Sequence, residues 1–111
     1  MKLAIAILNW NGKKLLQRFL PSVIQNSPEA NVFIIDNGSN DGSQNYIKQN
    51  HPEVDLIQLD SNFGFAGGYN RGLKKINAEL VCLLNNDVMV KEKWLTPAKI
   101  FNFIFSEACK V

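Results

Sequence analysis

One carboxylate, Asp87, follows two amides, Asn85 and Asn86, directly after the apolar run Leu80-Val81-Cys82-Leu83-Leu84. A run of this kind reads as a strand buried on both faces of a parallel sheet, which leaves its tip as the chemically useful position. A carboxylate there suits a hard divalent cation such as Mg2+ or Mn2+, which takes oxygen ligands and bridges readily to phosphates. Capping the next turn is the commoner task of a strand-end Asp, but the paired amides and the wholly apolar strand favour the metal role. A second apolar run, Val32-Phe33-Ile34-Ile35, ends in Asp36 in the same way. An Asp at such a tip accepts hydrogen bonds from a base N–H or a ribose hydroxyl, or else caps the Asn37-Gly38-Ser39 turn. Neighbouring parallel strands bring both tips to one edge, so two tip aspartates with a glycine-rich segment between them point to a nucleotide site.

That segment is Asn62-Phe63-Gly64-Phe65-Ala66-Gly67-Gly68-Tyr69-Asn70-Arg71-Gly72. Its glycines suit a turn whose backbone N–H groups approach a phosphate or sugar, or more plainly a flexible entry to a helix. It is neither a Walker loop, since no Gly-Lys-Ser/Thr follows, nor a clean Gly-x-Gly-x-x-Gly. Arg71 suits a diphosphate and a solvated helix face equally. Asn9, Trp10 and Asn11 end the first apolar run on the same edge and can wall a base pocket, although Trp is more often a core anchor. Asp41 reads as a helix cap rather than a ligand. His51 precedes Pro52 in a loop with no acid orienter, and neither Ser39 nor Ser43 has a histidine nearby in sequence, so a hydrolase triad is unsupported.

The elements that must position these groups alternate along the chain. Residues 3–8 read as the first strand, and 13–25 as a helix with apolar residues at 15, 16, 19, 20, 23 and 24, bent or broken by Pro21. Residues 32–35 form the second strand. A turn over 37–43 follows, in which Asp41 or Ser43 caps a short helix ending near Asn50. His51-Pro52 breaks the chain, 54–59 form the third strand, a helix runs through about Asn77, and 80–84 form the fourth strand. This order predicts an α/β fold, three α/β/α layers around a mostly parallel sheet, with ligands bound beyond the carboxyl ends of the strands at a topological switch point. Residues 91–111 depart from the pattern. Trp94, Leu95, Ala98, Ile100, Phe101, Phe103, Ile104 and Phe105 make the last segment apolar nearly all round, and such a segment calls for cover from both sides. The expectation is a piece of a longer protein, or a homo-oligomer formed through the apolar tail.

At 111 residues the chain reads as one domain over 1–111 with a modest core. A composition of 46% apolar and 20% charged residues is that of a globular protein, and a net charge of +2 without a basic cluster argues against a nucleic-acid partner. Cys82 and Cys109 lack metal or redox spacing, and a thiol inside an apolar strand suits the reducing cytoplasm. The start resembles a signal peptide only faintly, because its apolar run stops at Asn9-Trp10-Asn11 without a cleavage site. No stretch is long enough to span a membrane, which leaves open a peripheral place at its inner face for a longer parent.

Together, Ile7-Leu8-Asn9-Trp10-Asn11-Gly12, Ile34-Ile35-Asp36-Asn37-Gly38-Ser39-Asn40-Asp41-Gly42-Ser43, the segment from Asn62 to Gly72 and Leu84-Asn85-Asn86-Asp87-Val88 resemble the amino-terminal, donor-binding part of family 2 glycosyltransferases of the GT-A fold. The resemblance covers about residues 3–95, and the Gly-Phe-Ala-Gly-Gly form with Asn-Asn-Asp is most similar to the rhamnosyltransferase-like branch. It implies that Asp36 contacts the nucleotide base, that Asp87 is the metal ligand, and that Asn86 faces the ribose. Gly67, Gly68 and Asn70 would line the nucleotide-sugar site, with Arg71 toward the diphosphate. Asn85-Asn86-Asp87 stands where many relatives have Asp-x-Asp, which leaves one carboxylate. The donor implied is a UDP- or dTDP-linked sugar, and the reaction an inverting transfer to an acceptor hydroxyl. The family's catalytic base lies well beyond the metal motif, so no catalytic residue is expected in this chain, and it is expected to be inactive alone. The alternative is a non-catalytic nucleotide-binding or self-assembling module.

Overall fold

A computed structural model describes residues 2–95. Its central strand, β1 (Leu3–Asn9), is buried along nearly its whole length. It pairs in parallel on one side with β2 (Asn31–Asp36), which in turn pairs with β3 (Asp55–Gln58), and on the other side with β4 (Leu80–Leu83). The sheet order is therefore β3-β2-β1-β4. Because side chains alternate across a strand, Leu3, Ile5 and Ile7 enter one core with Val32 and Ile34, while Ala6 and Ile35 enter another. The first core is closed by α1 (Lys13–Gln25) through Leu16, Leu20 and Val23, and by α2 (Ser43–Asn50) through Ile47. The second is closed by α3 (Gly64–Leu73) through Tyr69. These are the three layers expected from the sequence.

Three local expectations are corrected. Pro21 lies inside α1 without breaking it. Its side chain is exposed, and three buried apolar residues hold the helix to the sheet against the lost hydrogen bond. β4 is an edge strand among the described residues, only partly buried, with Leu83 52% exposed. The glycine-rich segment is not a loop: Gly67, Gly68 and Gly72 all lie inside α3. The reason is packing. A Cβ on Gly72 would stand 2.5 Å from Ile35 Cγ1, and one on Gly68 would stand 2.8 Å from Leu8 Cδ1. Glycine lets α3 lie close on a part of the sheet already kept thin by Ala6.

After β4 the chain folds back under α1. The Val90 N–H donates to Ser22 Oγ at 3.3 Å and its carbonyl accepts from Asn26 Nδ2 at 3.0 Å, while Trp94 Nε1 donates to Ser27 Oγ at 2.8 Å. Val90 and Leu95 complete the first core. The expected self-associating tail falls mostly on residues 96–111, outside the described residues.

Candidate nucleotide site at the carboxyl edge

The chain leaves β1 for β2 on one side and reaches β4 on the other, so the switch point lies at the carboxyl end of β1. There β1 and β4 part. Their register ends at Ala6 opposite Leu83, with one last bond from the Leu84 N–H to the Ala6 carbonyl at 3.0 Å. The Tyr69 hydroxyl fills the split. It accepts from the Leu8 N–H at 3.3 Å and offers its proton to the Leu84 and Ala6 carbonyls at 3.4 and 3.5 Å. Burial pushes the Tyr69 phenol above its ordinary pKa, so it stays a neutral donor.

Asp36, at the tip of β2, is fully buried. Its Oδ1 accepts from Asn9 Nδ2 at 3.1 Å and Ser39 Oγ at 2.8 Å, and its Oδ2 from the Ser39 N–H at 2.9 Å and Gln44 Nε2 at 2.7 Å. Four donors occupy about all the acceptor sites a carboxylate has. Asn9, also fully buried at the tip of β1, turns its Oδ1 to Asn86 Nδ2 at 3.1 Å. The tips of β2 and β1 and the loop after β4 are thus joined side chain to side chain. Asn11, at positive φ, joins the loops behind them: its N–H donates to Ser39 Oγ at 2.8 Å and its Oδ1 accepts from the Asn40 N–H at 2.8 Å.

Asp41 caps two helices at once. It accepts from the Lys13 N–H at 3.0 Å, at the start of α1, and from the Ser43 N–H and hydroxyl at the start of α2. Burial raises its pKa, but the bonds from Ser43 and Lys13 outweigh that and hold the carboxyl below its ordinary value.

Asp87 stands apart from this group. It is exposed in the turn after β4 and, among the described residues, has neither a hydrogen bond nor an ion pair. Its loop is held on one side by Asn86 on Asn9 and on the other by Val90 on α1. Among the described residues no three His, Cys, Asp or Glu side chains gather as a ready-made metal cage. The donor set is one free carboxylate with an exposed amide, Asn85, beside it. Those oxygens fit a hard cation that draws its remaining ligands from phosphate and water.

The α3 residues divide. Gly68 is buried against Leu8 and Asn37, and Gly67 is half-buried beside Phe63 and Arg71. Asn70 is exposed and unbonded. Arg71 lies about 10 Å along the helix from its first residue. Its guanidinium stacks 3.7 Å over the Phe63 ring and faces a groove of about 480 Å³ shared with Asp60, Lys74 and Lys75. No hydrogen bond joins Asn70 or Arg71 to the Asn9 group among the described residues. Trp10 is 53% exposed, an open indole at the tip rather than a core anchor.

Two further residues act here without having been singled out. Asn37 ties the loop before α3 through its Nδ2 to Asn62 Oδ1 at 3.1 Å and the Gly64 carbonyl at 3.0 Å, while its Oδ1 accepts from the Phe63 N–H at 3.0 Å. Tyr69 has been described. The only sequence cue for either is a polar atom beside glycines. His51, expected to lack an orienter, has Nδ1 3.5 Å from Glu53 Oε1 and Nε2 3.2 Å from the Tyr46 hydroxyl. The Pro52 turn brings Glu53 back to it, before β3 and so at the opposite edge from the tips.

Comparisons with known proteins identify the family and the fold. The family model "Glycosyl transferase family 2" matches residues 4–99. An uncharacterised glycosyltransferase of Nostoc sp. is 32% identical over 91 residues, 78% of this chain and 28% of that protein. The poly-beta-1,6-N-acetyl-D-glucosamine synthase of Staphylococcus epidermidis is 31% identical over 87 residues, 75% of this chain and 21% of that protein. Among solved structures, S. aureus TarS superposes with a TM-score of 0.76 at 23% identity, covering 94% of this chain and 33% of TarS. A Pyrobaculum calidifontis mannosyltransferase solved with GDP-Man and Mn2+ gives 0.71 at 18% identity, over 84% and 29% of the two chains. These likenesses place the fold with GT-A structures, and the chain spans about a third or less of the proteins named here. With the matched stretch running from β1 past Leu95, the chain belongs to glycosyl transferase family 2.

Proposed function

We propose that this chain is the donor-binding part of an inverting glycosyltransferase, holding a UDP- or dTDP-linked sugar with Mg2+ or Mn2+ at the crevice between β1 and β4. The observation that carries the reading is the Asp87 carboxylate, without a partner among the described residues and presented at the switch point by a loop tethered on both sides. Structures of TarS with UDP-GlcNAc and of the Pyrobaculum mannosyltransferase with GDP-Man and Mn2+ support the ligand class. When bound, the cation would neutralise charge on the diphosphate leaving group.

The chain's own residues take up the rest. Trp10 offers an indole face to the base beside Asn9 and Asn11. The first-turn N–H groups of α3 lie at the same edge as phosphate donors, with Gly67, Gly68 and Asn70 behind them and Arg71 further down the helix. Asp36 anchors the floor of the site; a base N–H reaches its carboxylate only if Gln44 turns off Oδ2. Asn86 faces the ribose with the part of its amide not given to Asn9. In the parent protein, which we place in the rhamnosyltransferase-like branch, in the cytoplasm or peripheral to the inner membrane face, the acceptor hydroxyl attacks the anomeric carbon as the diphosphate leaves. The base that deprotonates it comes from outside this chain, so the 111 residues are inactive alone.

Calorimetric titration of UDP, dTDP and GDP, with and without Mn2+, tests the reading. Metal-dependent binding of one nucleotide is expected, and no binding of any of them would overturn it. A coupled assay that detects sugar transfer by this chain would overturn the inactivity.

A second reading, a self-assembling module, is favoured by the edge of β4, open among the described residues, and by the half-exposed Leu83. Size-exclusion chromatography with light scattering decides it: a strict monomer rules it out.

A further inference from the structure

The hydrogen bonds Asn86 to Asn9 to Asp36 run in one direction, and chemistry fixes that direction. The Asp36 carboxylate is met by donors from Ser39 and Gln44 as well as Asn9. An acceptor turned toward it from Asn9 would face a negative oxygen, so Asn9 must present Nδ2 to Asp36 and Oδ1 away from it. That Oδ1 belongs to a residue with 0% exposure, where an unpaired carbonyl oxygen is costly. Asn86 supplies the donor it needs, at 3.1 Å. Gly12 closes over the contact. A Cβ at that position would come 2.5 Å from Asn86 Nδ2 and nearer still to Asn9 Oδ1, so only glycine leaves room for the pair.

We infer that Asn9 and Asn86 are positioning residues that set where Asp87 presents its carboxylate, and that position 86 requires a hydrogen-bond donor and rejects a carboxylate. The inference rests on the reading of Asp87 as the metal contact and adds a rule to it. By ligand count, a second carboxylate beside Asp87 should improve a cation site, because hard cations take oxygen. By the direction of the hydrogen bonds it should harm the site. An Asp at position 86 sets acceptor against acceptor at Asn9 Oδ1, and Asn9 cannot turn over without setting its oxygen against Asp36. The loop then loses its tether to Asn9 and keeps, beyond Asp87, the packing of Val88 and the hydrogen bonds of Val90.

The two rules give opposite outcomes for Asn86→Asp. The test measures Mn2+-dependent UDP binding by calorimetry for the wild type, Asn86→Asp, Asn86→Ala and Gly12→Ala, with backbone hydrogen exchange of Leu84 and Val90, the hydrogen-bonded amides flanking the loop, in the ligand-free proteins. Losing one buried hydrogen bond predicts binding weaker by about tenfold in Asn86→Ala and Gly12→Ala, and weaker still in Asn86→Asp. For Gly12→Ala, which touches no ligand, metal-free UDP binding should stay within about twofold, a split that general unfolding would not produce. Exchange at the Leu84 and Val90 amides, which are hydrogen-bonded on either side of the loop, should rise about tenfold in all three variants. Gly12→Ala keeps every donor and acceptor and disturbs only their approach, and Asn86→Ala leaves the bonds within the Asp36 turn intact. Binding of UDP and Mn2+ by Asn86→Asp as tight as wild type, or tighter, overturns the inference while leaving the donor site standing. If the wild type binds no nucleotide, the donor-site reading fails by itself. Exchange then decides the tether, and unchanged exchange in Asn86→Asp and Gly12→Ala overturns it.

Discussion

The Leu8 backbone N–H donates to the Tyr69 hydroxyl at 3.3 Å, a bond that spans 61 residues and reaches from β1 to α3. It stands where β1 has lost β4 as a partner, one residue before Asn9. The opening of the sheet that makes the crevice would otherwise strand a buried donor. Tyr69→Phe removes the partner and keeps the ring. We expect a loss of about 1–3 kcal/mol in stability, read by chemical denaturation, with faster hydrogen exchange at Leu8. Unchanged exchange at Leu8 would mean that water replaces the hydroxyl.

Of the α3 glycines, Gly72 leaves the least room against the sheet, and Ile35 is what it approaches. Gly72→Ala should destabilise by about 1–3 kcal/mol through overpacking, although alanine is the better helix former. Trimming the neighbour should help: Ile35→Val combined with Gly72→Ala should be less damaging than the two single losses added together. Strict additivity in denaturant melts would show that the contact is not what excludes a side chain at 72.

Asp41 links the starts of α1 and α2, and its pKa is depressed in the folded protein. A depressed carboxyl contributes stability above its unfolded pKa, and that contribution is lost as pH falls through the folded value. Asp41→Asn should therefore be less stable than wild type at neutral pH, and the gap should close below about pH 4. The amide keeps one of the two acceptor oxygens, so the loss of one helix cap predicts a neutral-pH cost of about 1 kcal/mol. A gap that stayed constant down to pH 2 would contradict the electrostatic part of this account.

Asp87 contributes to no fold contact among the described residues, so Asp87→Ala should leave stability within about 0.5 kcal/mol of wild type. Its effect should appear in ligand binding, as loss of the Mn2+-dependent increment in nucleotide affinity. A marked fall in melting temperature would instead give Asp87 a structural role.

The layered fold was legible because β1, β2 and α1 carry clean apolar periods, and the tips of β1 and β2 and the turn after β4 could be placed on one edge from element order alone. What escaped was long-range. Glycine content at 64–72 signals a turn locally, but Gly68 and Gly72 answer to Leu8 and Ile35 across the interface between α3 and the sheet. The apolar run before Asp87 looked doubly buried, yet burial depends on sheet order, which puts β4 at an edge among the described residues. Asp36 was recognised as a tip carboxylate, but its saturation depends on Gln44, Ser39 and Asn9 arriving from three elements. Tyr69 gave no cue beyond a polar atom beside glycines, because its task is defined by two strands parting.

The central claim is that a nucleotide and a divalent cation meet at Asp87. Mn2+ is paramagnetic and broadens the resonances of nuclei close to it, so the most direct test is an NMR titration of the labelled chain with Mn2+ and UDP, separately and together. The account predicts broadening of Asn86, Asp87 and Val88, and of the nearby residues 9–11, strongest when both ligands are present and absent in Asp87→Ala. Broadening centred elsewhere, or unaltered by Asp87→Ala, would contradict it.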